Sequence, residues 1–155
     1  RKTGLEWTDE MMKQCPRPTG DLGRMVAGKM NEAHYELWKW GLSQSPVMEN
    51  ASILDVGCGG GRAIQLLNSL YGGSRLWGID ISQDMVDLSG EINRDLVKEG
   101  QVEISLGDVA AIPHPPEMFN LVTAFETTYF WPDFPAGLRE IRRVFKAGGQ
   151  PDYSQ

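Results

Sequence analysis

Ser52-Ile53-Leu54-Asp55-Val56-Gly57-Cys58-Gly59-Gly60-Gly61-Arg62 is the stretch on which the reading of this chain turns. It opens with a short apolar run, Ile53 to Val56, of the kind that forms a buried parallel strand. Glycines then stand at 57, 59, 60 and 61, and a helical pattern follows with Ala63, Ile64, Leu67 and Leu70 on one face. A strand that passes through a glycine-rich turn into a helix presents backbone N–H groups at the helix start. Without Cβ atoms the turn takes positive φ and lets a ligand approach the main chain closely. The stretch reads as a cradle for a ligand.

Spacing narrows the choice of ligand. The dinucleotide fingerprint is G-x-G-x-x-G/A, its third small residue packing the helix against the sheet. Counted from Gly57, that third position is Arg62, a poor fit. What stands here is Asp55-x-Gly57-x-Gly59-x-Gly61, with an acid two residues ahead of the first glycine. A carboxylate there repels a pyrophosphate and suits a ligand with positive charge. The stretch resembles the first motif of class I S-adenosylmethionine-dependent methyltransferases, whose cofactor carries a sulfonium and an amino group and no phosphate. The resemblance implies an α/β fold, a doubly wound and mostly parallel Rossmann-like sheet, with Asp55, Gly57, Cys58, Gly59 and Gly61 around the methionine portion of S-adenosylmethionine.

A chain of 155 residues is expected to form one domain with a sizeable core. No apolar run approaches the roughly 20 residues of a membrane helix, so no membrane partner is expected. The net charge of −6 and sequence pI near 4.9 argue against a nucleic-acid partner. Arg139, Arg142 and Arg143 lie on an expected helix and read as a solvated face. Cys15 and Cys58 are isolated and fit no zinc spacing, so no metal site and a reduced, cytoplasmic setting are expected.

Residues 1–50 read as a helical lid segment. From Asp21 to Leu42 the pattern is helical in two pieces, the second capped by Asn31, with Met30, Ala33, Leu37, Trp38 and Gly41 recurring at helical spacing. Either this helix only packs on the core, or Met30, His34, Tyr35 and Trp38 roof the site, as the resemblance implies. After helix A, Gly72-Gly73 is placed to end it. Arg75 to Ile79 forms a second buried strand, ending in Asp80 about twenty residues beyond the glycine turn, where a carboxylate can accept both ribose hydroxyls. Ser82 is placed to cap one long helix that stops at Gly100, with Met85, Val86, Ser89, Ile92 and Leu96 inward. Ile81 and Met85 are candidates to pack on an adenine; for Met85 plain core packing is the alternative.

Val102 to Leu106 reads as the third strand, ended by Gly107-Asp108-Val109. By resemblance, Asp108 accepts the adenine amino group and the Val109 N–H meets a ring nitrogen; an Asx-turn is the other reading of Asp108. His114 lies in a loop and is given no role. Phe119 to Phe125 reads as the fourth strand and delivers Glu126-Thr-Thr-Tyr-Phe-Trp-Pro-Asp133 to the carboxyl edge of the sheet, where open α/β folds bind ligands. Phe125, Tyr129, Phe130 and Trp131 are many aromatics for a solvated loop and suit an apolar wall beside the methyl group or acceptor. Asp133 caps a last helix, Pro135 fits its first turn, and Leu138, Ile141, Val144 and Phe145 are expected inward. Lys146-Ala-Gly-Gly149 ends it.

The class I sheet has seven strands in the order 3-2-1-4-5-7-6, and this sequence offers candidates for strands 1 to 4 and none for 5 to 7. The division expected is a lid over 1–50, a cofactor-binding core over 51–149 and a tail over 150–155. One edge of strand 4 would lie open, which points to a shortened chain or to a partner, such as a homo-oligomer, that covers the edge. The activity implied is methyl transfer to a small or medium-sized acceptor, the protein aligning an in-line displacement. Glu126, His34 and Tyr129 are the candidates for a general base, if the acceptor needs one. The rivals are an NAD-dependent oxidoreductase, opposed by Asp55 and Arg62, and a remnant that binds the cofactor without transferring a methyl group.

Overall fold

The computed structural model describes Glu10, Gly20, Asp21 and residues 49–125 and 131–146. Within them, β1 (Ser52–Val56), β2 (Arg75–Asp80), β3 (Val102–Leu106) and β4 (Leu121–Thr123) form one sheet in the order β3-β2-β1-β4. Every pairing is parallel, and Leu54 stands between Trp77 and Val122 across the central strand. The helices are α1 (Arg62–Leu70), α2 (Gln83–Ile92), α3 (Arg94–Lys98) and α4 (Phe134–Val144). This is the doubly wound parallel sheet that the sequence implies.

Side chains alternate across a strand, and here both faces are covered. Ile53 and Leu76 join Ala63, Ile64, Leu66 and Leu67 of α1 in one core. Leu54, Val56, Trp77 and Ile79 join Val109, Ile112, Phe119 and Val144 in the other. Burial on both faces is why these strands read as unbroken apolar runs. The crossover from β1 to β2 runs through α1, and that from β2 to β3 through α2 and α3. The crossover from β3 to β4 joins opposite edges of the sheet through residues 107–120 with no helix. It lies with α4 over the second core.

Several local expectations need correction. The helix expected from Ser82 to Gly100 divides at Asn93, whose buried amide donates to Ser89 O at 2.9 Å. A side chain that bonds the backbone in this way competes with the helical ladder. Ile92 is consequently exposed. Leu70 and Leu138 also face solvent, and Leu66 takes the inward place on α1. Helix α1 ends at Leu70, and the left-handed residue is Gly73, with Gly72 ordinary. The fourth strand is three residues long. Phe119 instead bridges Phe145, with Phe119 N–H donating to Val144 O and Lys146 N–H to Phe119 O. The caps hold: Ser82 accepts from Met85 N–H, and Asp133 from Ala136 N–H. Most of the lid segment, with Met30, Tyr35 and Trp38, lies outside the described residues, as do 126–130 and the tail. Among the described residues no helix is long and apolar enough to cross a membrane.

Candidate functional site

The carboxyl ends of β1, β2 and β3 stand side by side, and the turn after each carries candidate residues. After β1, Gly57 N–H and Cys58 N–H both donate to Ile79 O of β2, at 2.8 and 3.0 Å, and pin the turn to the neighbouring strand. Gly57, Gly59 and Gly61 have φ of +70°, +52° and +87°, the left-handed region that L side chains resist. Alternation of these glycines is therefore demanded by the backbone itself.

Gly59 and Gly61 do different work. A Cβ on Gly59 would meet nothing within 4 Å, so this residue leaves the outer side of the turn open. A Cβ on Gly61 would fall 2.6 Å from both Ser89 Oγ and Asn93 Nδ2. Gly61 thus lets α1 start hard against α2, and Asn93 Nδ2 donates to its carbonyl at 3.2 Å. This is the helix-packing duty that the dinucleotide fingerprint gives to its third glycine, met one residue earlier than that spacing requires.

Asp80 is tied directly to the turn. One carboxylate oxygen accepts Gly59 N–H at 2.9 Å and the other accepts Ser82 N–H at 2.9 Å. A carboxylate has about four acceptor sites, so these bonds orient Asp80 and leave it suited to ribose hydroxyls. They also engage the Gly59 amide, a natural donor to a pyrophosphate.

Asp55 lies beneath the turn within the sheet, 1% exposed, and accepts the Thr123 hydroxyl at 2.8 Å. Burial pushes its carboxyl up to about 7; the nearby Asp80 charge adds to this, and the Thr123 bond opposes it. The sequence reading treats this acid simply as an anion; the structure gives it a titration near neutrality. The Cys58 side chain is also turned inward, buried among Gly78 and Ile104, and burial pushes its thiol well above the usual range. Only its main chain belongs to the turn.

Of the proposed adenine contacts, Ile81 is 39% exposed beside the site, whereas Met85 is fully buried, the core-packing alternative. Asp108 is exposed, and its Oδ1 accepts Ala110 N–H at 2.9 Å, so the Asx-turn is present. Val109 packs its side chain into the second core, and Phe125 is half-buried against the first. Glu126, His34 and Tyr129 lie outside the described residues.

Sequence reasoning missed Ser89, Asn93 and Thr123 as supports of the turn. An asparagine inside a helical pattern, a weak helix former with a backbone-seeking amide, was the available signal for Asn93. Arg139 and Arg142 are exposed, as on a solvated face, but Arg143 is half-buried and makes contacts that the sequence did not suggest. Its guanidinium pairs with Glu140 at 2.8 Å and donates to His114 O and Ile112 O. His114, left without a role, packs edge-on against Trp77 and Phe119.

The family described as a methyltransferase domain matches residues 53–149. The chain is 29% identical over 127 residues to the uncharacterized methyltransferase YdaC of Bacillus subtilis, covering 81% of this chain and 68% of that protein. It is 29% identical over 118 residues to the 2-phytyl-1,4-naphtoquinone methyltransferase of Synechococcus elongatus, covering 75% of this chain and 51% of that enzyme. The chain therefore spans about two-thirds of one of these relatives and about half of the other. Among solved structures, a SAM dependent methyltransferase from Aquifex aeolicus superposes with a TM-score of 0.70 at 24% identity, over 79% of this chain and 67% of that one. The order of the four strands, the glycine turn joined to Asp80 and the match over 53–149 have one conclusion: this chain belongs to the methyltransferase domain family, with the class I S-adenosylmethionine-dependent fold.

Proposed function

We propose that this chain binds S-adenosylmethionine and directs methyl transfer to a small or medium-sized apolar acceptor. The observation that carries the reading is the joint between Gly59 and Asp80, an open glycine turn whose amide is held by a carboxylate. Asp80 would accept the ribose hydroxyls, Asp108 the adenine amino group, and Ile81 would lie on the base. Gly57, Gly59 and Gly61 would shape the bed of the methionine portion above Asp55. The cofactor supplies a methyl carbon already activated by its sulfonium. The protein's part is to align the acceptor in line and exclude water.

An apolar acceptor is supported by α4 and the residues before it. Phe134 and Leu138 are 46% and 47% exposed one helical turn apart, and Trp131 stacks on Phe134 at 5.8 Å. Such a patch suits a hydrocarbon-bearing acceptor, and the Synechococcus relative is named for a phytyl-substituted naphthoquinone. Glu126, His34 and Tyr129 remain the proposed general bases for an acceptor that must lose a proton. A cytoplasmic location, and a homo-oligomer that covers the open side of β4, belong to the same proposal.

A dinucleotide fits less well, because the Gly59 N–H already serves Asp80 and a second carboxyl, Asp55, lies below. A cofactor-binding module without transfer is the second reading. Calorimetric titration with S-adenosylhomocysteine and with NADH tests the cofactor, and labelled methyl transfer to a panel of naphthoquinones and fatty acids tests the acceptor. Binding of the sulfur nucleoside alone with transfer supports the proposal. Binding without transfer to any of the panel favours the second reading, and binding of NADH alone overturns both.

A further inference from the structure

We infer that Glu140 and Arg143 of α4 are positioning residues for the base-binding turn at Asp108, resting on the reading of Asp108 as the adenine partner. The crossover from β3 to β4 has no helix of its own, so its backbone groups must find partners elsewhere. The ion pair supplies them. Glu140 Oε2 accepts Ile112 N–H at 2.8 Å. Arg143 Nη2 donates to Ile112 O at 2.9 Å and Nη1 to His114 O at 2.8 Å. The pair is itself bidentate, with Arg143 Nε and Nη2 on the two oxygens of Glu140 at 2.8 and 2.9 Å. Four of the five guanidinium N–H groups are thereby committed in one plane, a fork that lysine cannot reproduce.

The grip is applied close to Asp108. Asp108 and Ala111 form an antiparallel bridge, Ala111 N–H donating to Asp108 O at 3.0 Å, so the turn closes immediately before the clamped Ile112. Between them, Val109 is buried and lies against α4, its Cγ1 3.4 Å from where a Cβ on Gly137 would stand. Helix α4 therefore holds the turn by packing at Gly137 and by the fork at residues 140 and 143. The hydrogen bond with Arg143 lowers the Glu140 carboxyl below its usual value, as expected of a charged pair. An arrangement that holds the turn at Asp108 in one geometry is what recognition of a planar base requires.

The test is a coupling measurement on the 155-residue chain, with S-adenosylhomocysteine as the probe and calorimetry as the readout. Arg143→Lys is expected to weaken binding roughly tenfold on its own and less than about twofold in an Asp108→Ala background, which removes the accepting oxygen, because the two residues act through one contact. In an Asp80→Asn background the full roughly tenfold loss is expected. S-inosylhomocysteine, which lacks the amino group, should be insensitive to Arg143→Lys. Glu140→Gln keeps an oxygen for the Ile112 amide and gives the same pattern at smaller amplitude with less strain on folding, which near-UV circular dichroism monitors. An unchanged affinity in both variants overturns the inference, as does a loss that persists undiminished beside Asp108→Ala. If Asp108→Ala alone binds as tightly as the native chain, the adenine assignment falls and this inference with it.

Discussion

At the scale of single residues, the site rests on which atoms are absent. Gly59→Ala and Gly61→Ala look equivalent in the sequence, since both put a Cβ on a residue with positive φ. Their surroundings separate them. At Gly59 the new carbon meets nothing within 4 Å, so the cost is backbone strain of about 1–2 kcal/mol. That variant should fold and, if the proposed cofactor lies on the open side of the turn, lose S-adenosylhomocysteine affinity by about tenfold or more, because the carbon enters that open side. At Gly61 the carbon lies 2.9 Å from Ser89 Cα, backbone that cannot swing aside. Strain and overpacking together should destabilise the chain by about 2–5 kcal/mol, read from urea unfolding. Asp55 gives a pH signature. Its folded value near 7 lies above the unfolded value of 3.8, so its contribution to stability is full below about pH 4 and is lost as pH rises through 7. The loss is on the order of 4 kcal/mol. Asp55→Asn, which keeps an oxygen for the Thr123 hydroxyl, should be the more stable form at pH 8 and should lack this decline. Equal pH profiles for the two chains would remove the buried carboxyl from the account.

Among the elements, the strand-turn-helix unit of β1 and α1 was legible because three independent signals coincide there: an apolar run, clustered glycines and a 3.6-residue period. The break at Asn93 was not read, because helix periodicity continues across it and its tertiary partner, Gly61 O, is invisible in the sequence. The short β4 was misjudged for a similar reason. Apolar residues at 119–125 satisfy a strand pattern, yet Phe119 is diverted to pair with Phe145. The contacts of Arg143 were not legible because spacing on a helix does not reveal whether a helix-free crossover needs its donors. The places of Asp80 and Asp108 at strand ends were legible in the sequence, though Asp80's hold on Gly59 N–H was not. Asn93→Ala tests the element-level account. It restores helix propensity while removing the amide from Gly61 O and Ser89 O, both buried bonds. Propensity favours the change by less than about 1 kcal/mol, and the lost bonds disfavour it by about 1–3 kcal/mol. The bonds should win, with a lower denaturant midpoint and faster amide exchange around Arg62 as the measurements.

For the whole molecule, the sheet is the deciding object, and its two edges differ. On the β3 side the strand is five residues long and α2 and α3 pack against it. On the β4 side the strand has three residues and, among the described residues, pairs only with β1. Leu121 and Val122 there are half-buried, and Phe145 and Lys146 meet only the beginning of the edge, at Phe119. A parallel edge of this kind invites a further strand. Against association stands the net charge of −6, whose repulsion between copies is screened beyond roughly 8 Å at physiological salt. The edge attraction is short-ranged and made of hydrogen bonds and apolar contact, so salt should weaken the repulsion far more than the attraction. Sedimentation of the 155-residue chain should therefore show a mean mass that rises with protein concentration and rises further between low and high salt. The unfolding midpoint should climb with concentration in parallel, because association favours the folded chain by mass action. A mass and a midpoint both independent of concentration, at either salt, would mean that the β4 side needs no second copy to be stable.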